Sequence, residues 1–108
     1  MSVYRFKSRE TGDLVMLKDN GKRMLEIIGK DPSGPGIILP AQMDAAIDAL
    51  RAAAVAEEAD QQRQREEAAA KGEPPPEFDV VSLRMRSAPF IEMLQRCHRA
   101  EVEVVWGV

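Results

Sequence analysis

Apolar and polar residues change rhythm several times along the chain, and each rhythm predicts an element. Residues 3–8 alternate through Val3, Tyr4, Arg5, Phe6, Lys7 and Ser8, then enter the polar Arg9-Glu10-Thr11-Gly12, the pattern of a strand closed by a turn. The block 13–29 opens on Leu14-Val15-Met16-Leu17, which alone suits a strand, while Leu14, Leu17, Gly21, Met24 and Ile28 recur at helical spacing. From Asp19 onward the helix prevails, because Met24-Leu25 and Ile27-Ile28 flank polar Lys22, Arg23 and Glu26. Gly29 falls where a left-handed cap ends a helix, and Asp31-Pro32 stops any continuation. After the loop Ser33-Gly34-Pro35-Gly36, the segment Ile37-Ile38-Leu39 reads as short and extended. Pro40 suits the first residue of a helix, whose Met43, Ala46, Ile47 and Leu50 form a buried stripe.

Beyond Arg51 that stripe fades, and Val55 is the one non-alanine hydrophobe as far as Glu77. The stretch 57–71 is mostly Ala, Glu, Gln and Arg, helical by propensity but without an apolar face to hold it by packing, so it reads as a solvated, fraying helical arm. Gly72-Glu73-Pro74-Pro75-Pro76 ends it as a stiff, extended linker. The chain re-enters the fold at Phe78-Asp79-Val80-Val81, and either Ser82 or Ser87 caps the next helix. A Ser87 cap leaves Pro89 in the first turn, whereas a Ser82 cap places it inside the helix, where it must kink. Phe90, Met93, Leu94 and Cys97 face the core at helical spacing, and Val102, Val104 and Trp106 alternate as a final strand. The expected fold is therefore α+β: a small sheet from the N- and C-terminal strands, 14–17 or 37–39 added, packed with two to three helices. Residues 1–108 form a single domain, its core in 2–52 and 80–108, with the arm and linker spanning 53–79.

Composition narrows the function. At 108 residues the chain has no room for a doubly wound dinucleotide fold or a barrel. Fifteen Lys and Arg against 18 Asp and Glu, net −3, argue against a protein that lives on nucleic acid or anionic lipid. The charge is uneven: the acidic arm and the basic last helix could meet, within one chain or between two. One cysteine excludes an internal disulfide and a Cys-rich zinc site. The N-terminus lacks the apolar core that export needs, and apolar runs reach only about four or five residues, so a cytoplasmic protein without a membrane span is expected.

Candidate chemistry is sparse. The segment from Asp31 to Gln42 imitates a calcium loop at Asp31, Ser33, Gly36 and Ile38, but Pro35 and Gln42 stand where an oxygen donor and a bidentate carboxylate are required. Gly29 and Gly34 share the spacing of a phosphate loop without its Lys-Ser/Thr, and Gly34-Pro35-Gly36 lacks the third glycine of a dinucleotide turn. Cys97 and His98 adjoin, yet neighbours on a helix point about 100° apart and do not form a nucleophile–base pair. The carboxylates Glu57, Glu58, Asp60, Glu66 and Glu67 read as a solvated face. Lys18, Lys22, Arg23, Arg84, Arg86, Arg96 and Arg99 lack the interleaved aromatics of a nucleic-acid surface apart from Phe90, which belongs to the core face. Trp106, alone of its type, fills the core or an interface, or else makes a ligand platform.

Several segments together resemble a known family. They are Phe6-Lys7-Ser8, Asp13-Leu14-Val15-Met16-Leu17, Leu25-Glu26-Ile27-Ile28-Gly29-Lys30 and Pro35-Gly36-Ile37-Ile38. In the second half they are Val81-Ser82-Leu83 with Arg86 and Ala88-Pro89-Phe90, Ile91-Glu92-Met93-Leu94, and the terminal Val104-Val105-Trp106-Gly107-Val108. These are similar to the small bacterial proteins grouped as domain of unknown function 1840, over 2–52 and 80–108. The resemblance implies a free-standing cytoplasmic bacterial protein whose whole length is the domain, and it carries over no activity, cofactor or catalytic residue. The expectation is a non-enzymatic protein-interaction module, self-associating or bound to a protein partner. The alternative is a small-molecule binder or minor enzyme with a pocket near Trp106. Trp106, Arg86 and Phe90 are the candidate ligand or interface positions.

Overall fold

A computed structural model describes residues 3–108. Ser2, the first position of the expected core, lies outside the described residues. Among the described residues the order is β1 (Val3–Phe6), β2 (Leu14–Leu17), α1 (Lys18–Ile27), β3 (Gly36–Ile38), α2 (Pro40–Ala70), α3 (Leu83–Ala100) and β4 (Val104–Trp106). This is the α+β arrangement that the alternation at the two ends and the helical stripes between them predict.

The ambiguous 14–17 segment is a strand, antiparallel to β1, with Val3 opposite Leu17 and Arg5 opposite Val15. β3 pairs with β4 in the same sense, Gly36 opposite Trp106 and Ile38 opposite Val104. The first and last strands meet at one bridge, where Lys7 N–H donates to Val105 C=O (2.8 Å) and Val105 N–H donates to Lys7 C=O (2.9 Å). Two small two-stranded sheets are thereby joined edge to edge in the order β2-β1-β4-β3. Successive residues of a strand point to opposite faces. Phe6, Met16, Ile38, Val104 and Trp106 therefore turn inward and are buried, while Val3, Val15, Leu17 and Ile37 turn outward.

The helices cover the inner face. The α1 stripe Gly21, Met24 and Leu25 is buried, and Gly29 ends the helix at φ 80°. There Lys30 N–H reaches Leu25 C=O and Gly29 N–H reaches Glu26 C=O, satisfying carbonyls that a helix end leaves free. Gln42 opens α2 by accepting from Leu39 N–H (3.0 Å) and also holds Lys30 Nζ (2.9 Å). Met43, Ala46, Ile47 and Leu50 are buried as the spacing predicts. α2 then continues unbroken to Ala70, 31 residues or about 46 Å of helix, along a molecule 53 Å in its longest dimension.

The arm is not wholly bare. Ala54 and Ala68 are buried, and the Arg65 guanidinium lies 5.1 Å from the centre of the Phe78 ring, so the proline-rich linker runs back along the helix. Val80 stays 94% exposed, so the core resumes at Leu83 rather than at 78–81. Ser82 is the cap of α3, its Oγ accepting from Met85 N–H (3.1 Å). Pro89 consequently sits inside the helix. Arg84 forks onto Glu58 with two 2.8 Å bonds, which ties the acidic arm to the basic last helix within one chain.

Candidate functional site

Sequence reasoning marks Trp106, Arg86 and Phe90, and the fold separates them. Phe90 packs on Phe6 with ring centroids 4.7 Å apart and has no exposed surface, so it serves the core and cannot touch a ligand. Arg86 is half-buried at the start of α3, where its Nε–H reaches back to Val81 C=O (3.4 Å). Trp106 is buried beneath β3. Its Nε1–H donates to Gly34 C=O (3.1 Å), and its six-membered ring lies on Gly36, where any side chain would collide with it.

One edge of Trp106 borders an open cleft of about 440 Å³, within the range of ligand clefts. The cleft lies between β1, the loop 32–35 and the residues after Trp106. Tyr4 closes its inner side: the hydroxyl donates to Pro32 C=O (2.7 Å), fastening the loop to β1. Asp31 shapes the loop by accepting from the amide (2.8 Å) and hydroxyl (2.7 Å) of Ser33, bonds that hold its carboxyl below the usual range. The place that imitates a calcium loop is thus a side-chain-braced turn. Gly107, at φ 74°, packs against Pro35 so closely that a Cβ would stand 2.7 Å from Pro35 Cα. Lys7 Nζ donates to Val108 C=O (2.9 Å) across the mouth. Arg5 lies along the same rim, 3.6 Å from Asp13. Tyr4, Lys7 and Gly107 were not singled out from sequence, since nothing local shows that residues about 100 positions apart converge. The glycine directly after a terminal tryptophan was the only available signal.

A second cleft, of about 400 Å³, is lined by Arg51, Arg84 and Glu92, while the thiol, the imidazole and the arm carboxylates that the sequence marks as candidate chemistry lie elsewhere. Cys97 is buried and its Sγ–H donates to Ser8 Oγ (3.0 Å), while His98 turns to Asp44 (3.6 Å). The thiol and imidazole therefore serve separate neighbours. Glu58 is held below its ordinary pKa by the hydrogen bonds from Arg84, and Asp60 by those from Arg63 and Gln64. Both carboxylates are exposed and locked in surface pairs. Among the described residues, no three His, Cys, Asp or Glu side chains gather as a metal site would require, and no helix is long and apolar enough to cross a membrane.

The outer face of the joined sheets is the other notable surface. Val3, Val15 and Leu17 stand out from the β1–β2 pair and Ile37 from β3, each at least two-fifths exposed, with Arg5 and Asp13 among them. A family model described as domain of unknown function (DUF1840) matches residues 2–106. No curated protein and no solved structure matches the chain.

Proposed function

The chain belongs to the DUF1840 family, and we propose that it acts in the bacterial cytoplasm as a non-catalytic interaction module that self-associates through the outer face of its sheet. The observation that carries this is the cluster of Val3, Val15 and Leu17 on the adjoining strands β1 and β2, with Ile37 farther along the same face on β3, beyond β4. Its area is on the order of a few hundred Å², the size at which an apolar patch on a monomer marks an interaction site. A second copy is the occupant that suits it best. The strip carries one cation and one anion side by side, Arg5 and Asp13. A two-fold arrangement sets each against its opposite on the partner subunit and apolar against apolar. The dispersal of titratable groups supports a binding rather than a chemical role, and a single buried, unpaired thiol suits a reducing compartment.

Sedimentation velocity between about 1 µM and 1 mM, the affinity range of a modest interface, tests the proposal. The wild type is expected to shift from monomer to dimer across that range. Leu17→Lys and Val15→Thr alter exposed side chains and should leave the fold intact while holding the protein monomeric. A wild type that stays monomeric throughout overturns self-association, as does a dimer that both variants leave unchanged.

A further inference from the structure

The cleft beside Trp106 has a feature that cavity shape alone does not convey: one wall is the free edge of a strand. Lys7 exchanges both backbone hydrogen bonds with Val105, so its N–H and C=O point toward β4. The two-residue period of a strand then points the N–H and C=O of Arg5 and Val3 the same way, and those of Tyr4 and Phe6 toward β2, the partner on the other side. An uninterrupted ladder would place Gly107 opposite Arg5. Gly107 instead takes its left-handed turn onto Pro35, and the pairing ends at Val105. Among the described residues, the β1 edge from Val3 to Arg5 is therefore left without a backbone partner where the cleft opens.

We infer that this cleft accepts an extended acidic peptide, which adds as a strand to the free edge of β1. The choice of occupant follows from the walls. The charged side chains lining the cleft are Arg5, 3.6 Å from Asp13 on the rim, and Lys7, bonded to Val108 C=O. No carboxylate side chain is among the lining residues, so an incoming acidic group competes only with these two contacts. Both stand on the outer face, so the outward positions of an added strand meet cations and favour Glu or Asp. Inward positions alternate with these and meet Tyr4, Pro32 and Pro35, which favour an apolar residue. Main-chain bonds to Arg5 and Val3 supply attachment, and the alternation supplies selectivity.

The inference rests on the interaction-module reading but does not require self-association. Its test therefore runs on both the wild type and Leu17→Lys, whose sheet face is blocked. The probe is a fluorescein-labelled octapeptide of alternating valine and glutamate, followed by fluorescence anisotropy. Two companions are used: one with lysine in place of glutamate, and one N-methylated at alternate amides so that it cannot form the ladder. Binding of the glutamate peptide is expected in both proteins, at least tenfold tighter than either companion. It should weaken at least tenfold in Lys7→Glu, where an exposed charge is reversed. Amide exchange at Arg5 should slow by tenfold or more in the complex, a response that ion pairing alone does not produce. No anisotropy change with any peptide overturns the inference, as does equal binding of the N-methylated peptide, which would mark a side-chain site for small anions. Equal binding of the lysine peptide overturns the acidic preference. Peptide binding that persists in Leu17→Lys while the wild type sediments as a monomer leaves this inference standing and removes self-association alone.

Discussion

Gly21 occupies an interior position of α1, and helix propensity by itself makes its replacement by alanine favourable by about 1 kcal/mol. Tertiary packing reverses the sign. A Cβ at Gly21 would stand 2.6 Å from Tyr4 Cγ and 2.8 Å from Tyr4 Cβ, distances that real contacts do not reach. The obstructing atoms lie at the root of the tyrosine, so the ring cannot swing clear at its tip. The Tyr4 hydroxyl is also anchored to Pro32 C=O, and the ring is stacked 6.2 Å from Phe6. Overpacking of this kind costs about 1–3 kcal/mol. Loss of the tyrosine hydrogen bond adds about 1 kcal/mol. Set against the propensity gain, Gly21→Ala should destabilise the protein by about 2 kcal/mol, a fall in melting temperature of about 8 °C for a chain of this size. Thermal denaturation followed by circular dichroism measures it. A double-mutant cycle with Tyr4→Ala should recover about 1 kcal/mol of coupling, because the atoms in conflict all belong to Tyr4 and alanine removes the ring while keeping Cβ. A melting temperature equal to or above that of the wild type would refute the packing account.

Gly36→Ala should cost about 2–3 kcal/mol, since its Cβ would lie 2.7 Å from Trp106 Cε2 and displace the indole from Gly34; a red-shifted tryptophan emission reports the displacement. Glu101→Gly should stabilise by about 0.5–1 kcal/mol in urea denaturation, because Glu101 holds φ at 57° where glycine is at ease. Pro89→Ala should add about 2 kcal/mol by the same assay, as the exposed proline denies α3 the hydrogen bond to Met85 C=O. Acid should weaken the fold. The carboxyls of Glu58, Asp60 and Asp31 are depressed in the folded state, so their contribution is complete above their ordinary values of 4.5, 3.8 and 3.8 and is lost as pH falls through the lower folded values. Stability should be level between about pH 7 and 5 and decline below, with a shallower decline in Glu58→Gln, read from melting temperature against pH.

Much of the fold was legible along the chain because the information is local and periodic. The stripe Met43, Ala46, Ile47 and Leu50, the set Phe90, Met93, Leu94 and Cys97, and the alternation at Val104 and Trp106 announce their buried faces by spacing alone. Gly29 and Pro40 announce helix boundaries by backbone chemistry, whichever neighbours they later meet. Other choices belonged to partners distant in sequence. Leu14-Val15-Met16-Leu17 became a strand because β1 supplied a ladder, and Ser82 prevailed over Ser87 because Ser87 is buried as an interior residue of α3. The site was the least legible part. Trp106 could be marked by its rarity, but its cleft is made by Tyr4, Lys7, Pro35 and Gly107, brought together by the bridge between Lys7 and Val105, the β3–β4 pairing and the Tyr4 bond to Pro32. Local sequence determines which residues turn inward, because helix and strand periods are properties of the backbone. Which strand edge stays open, and what faces it, is decided by long-range pairing, because a free hydrogen-bonding edge exists only relative to the strand that fails to cover it.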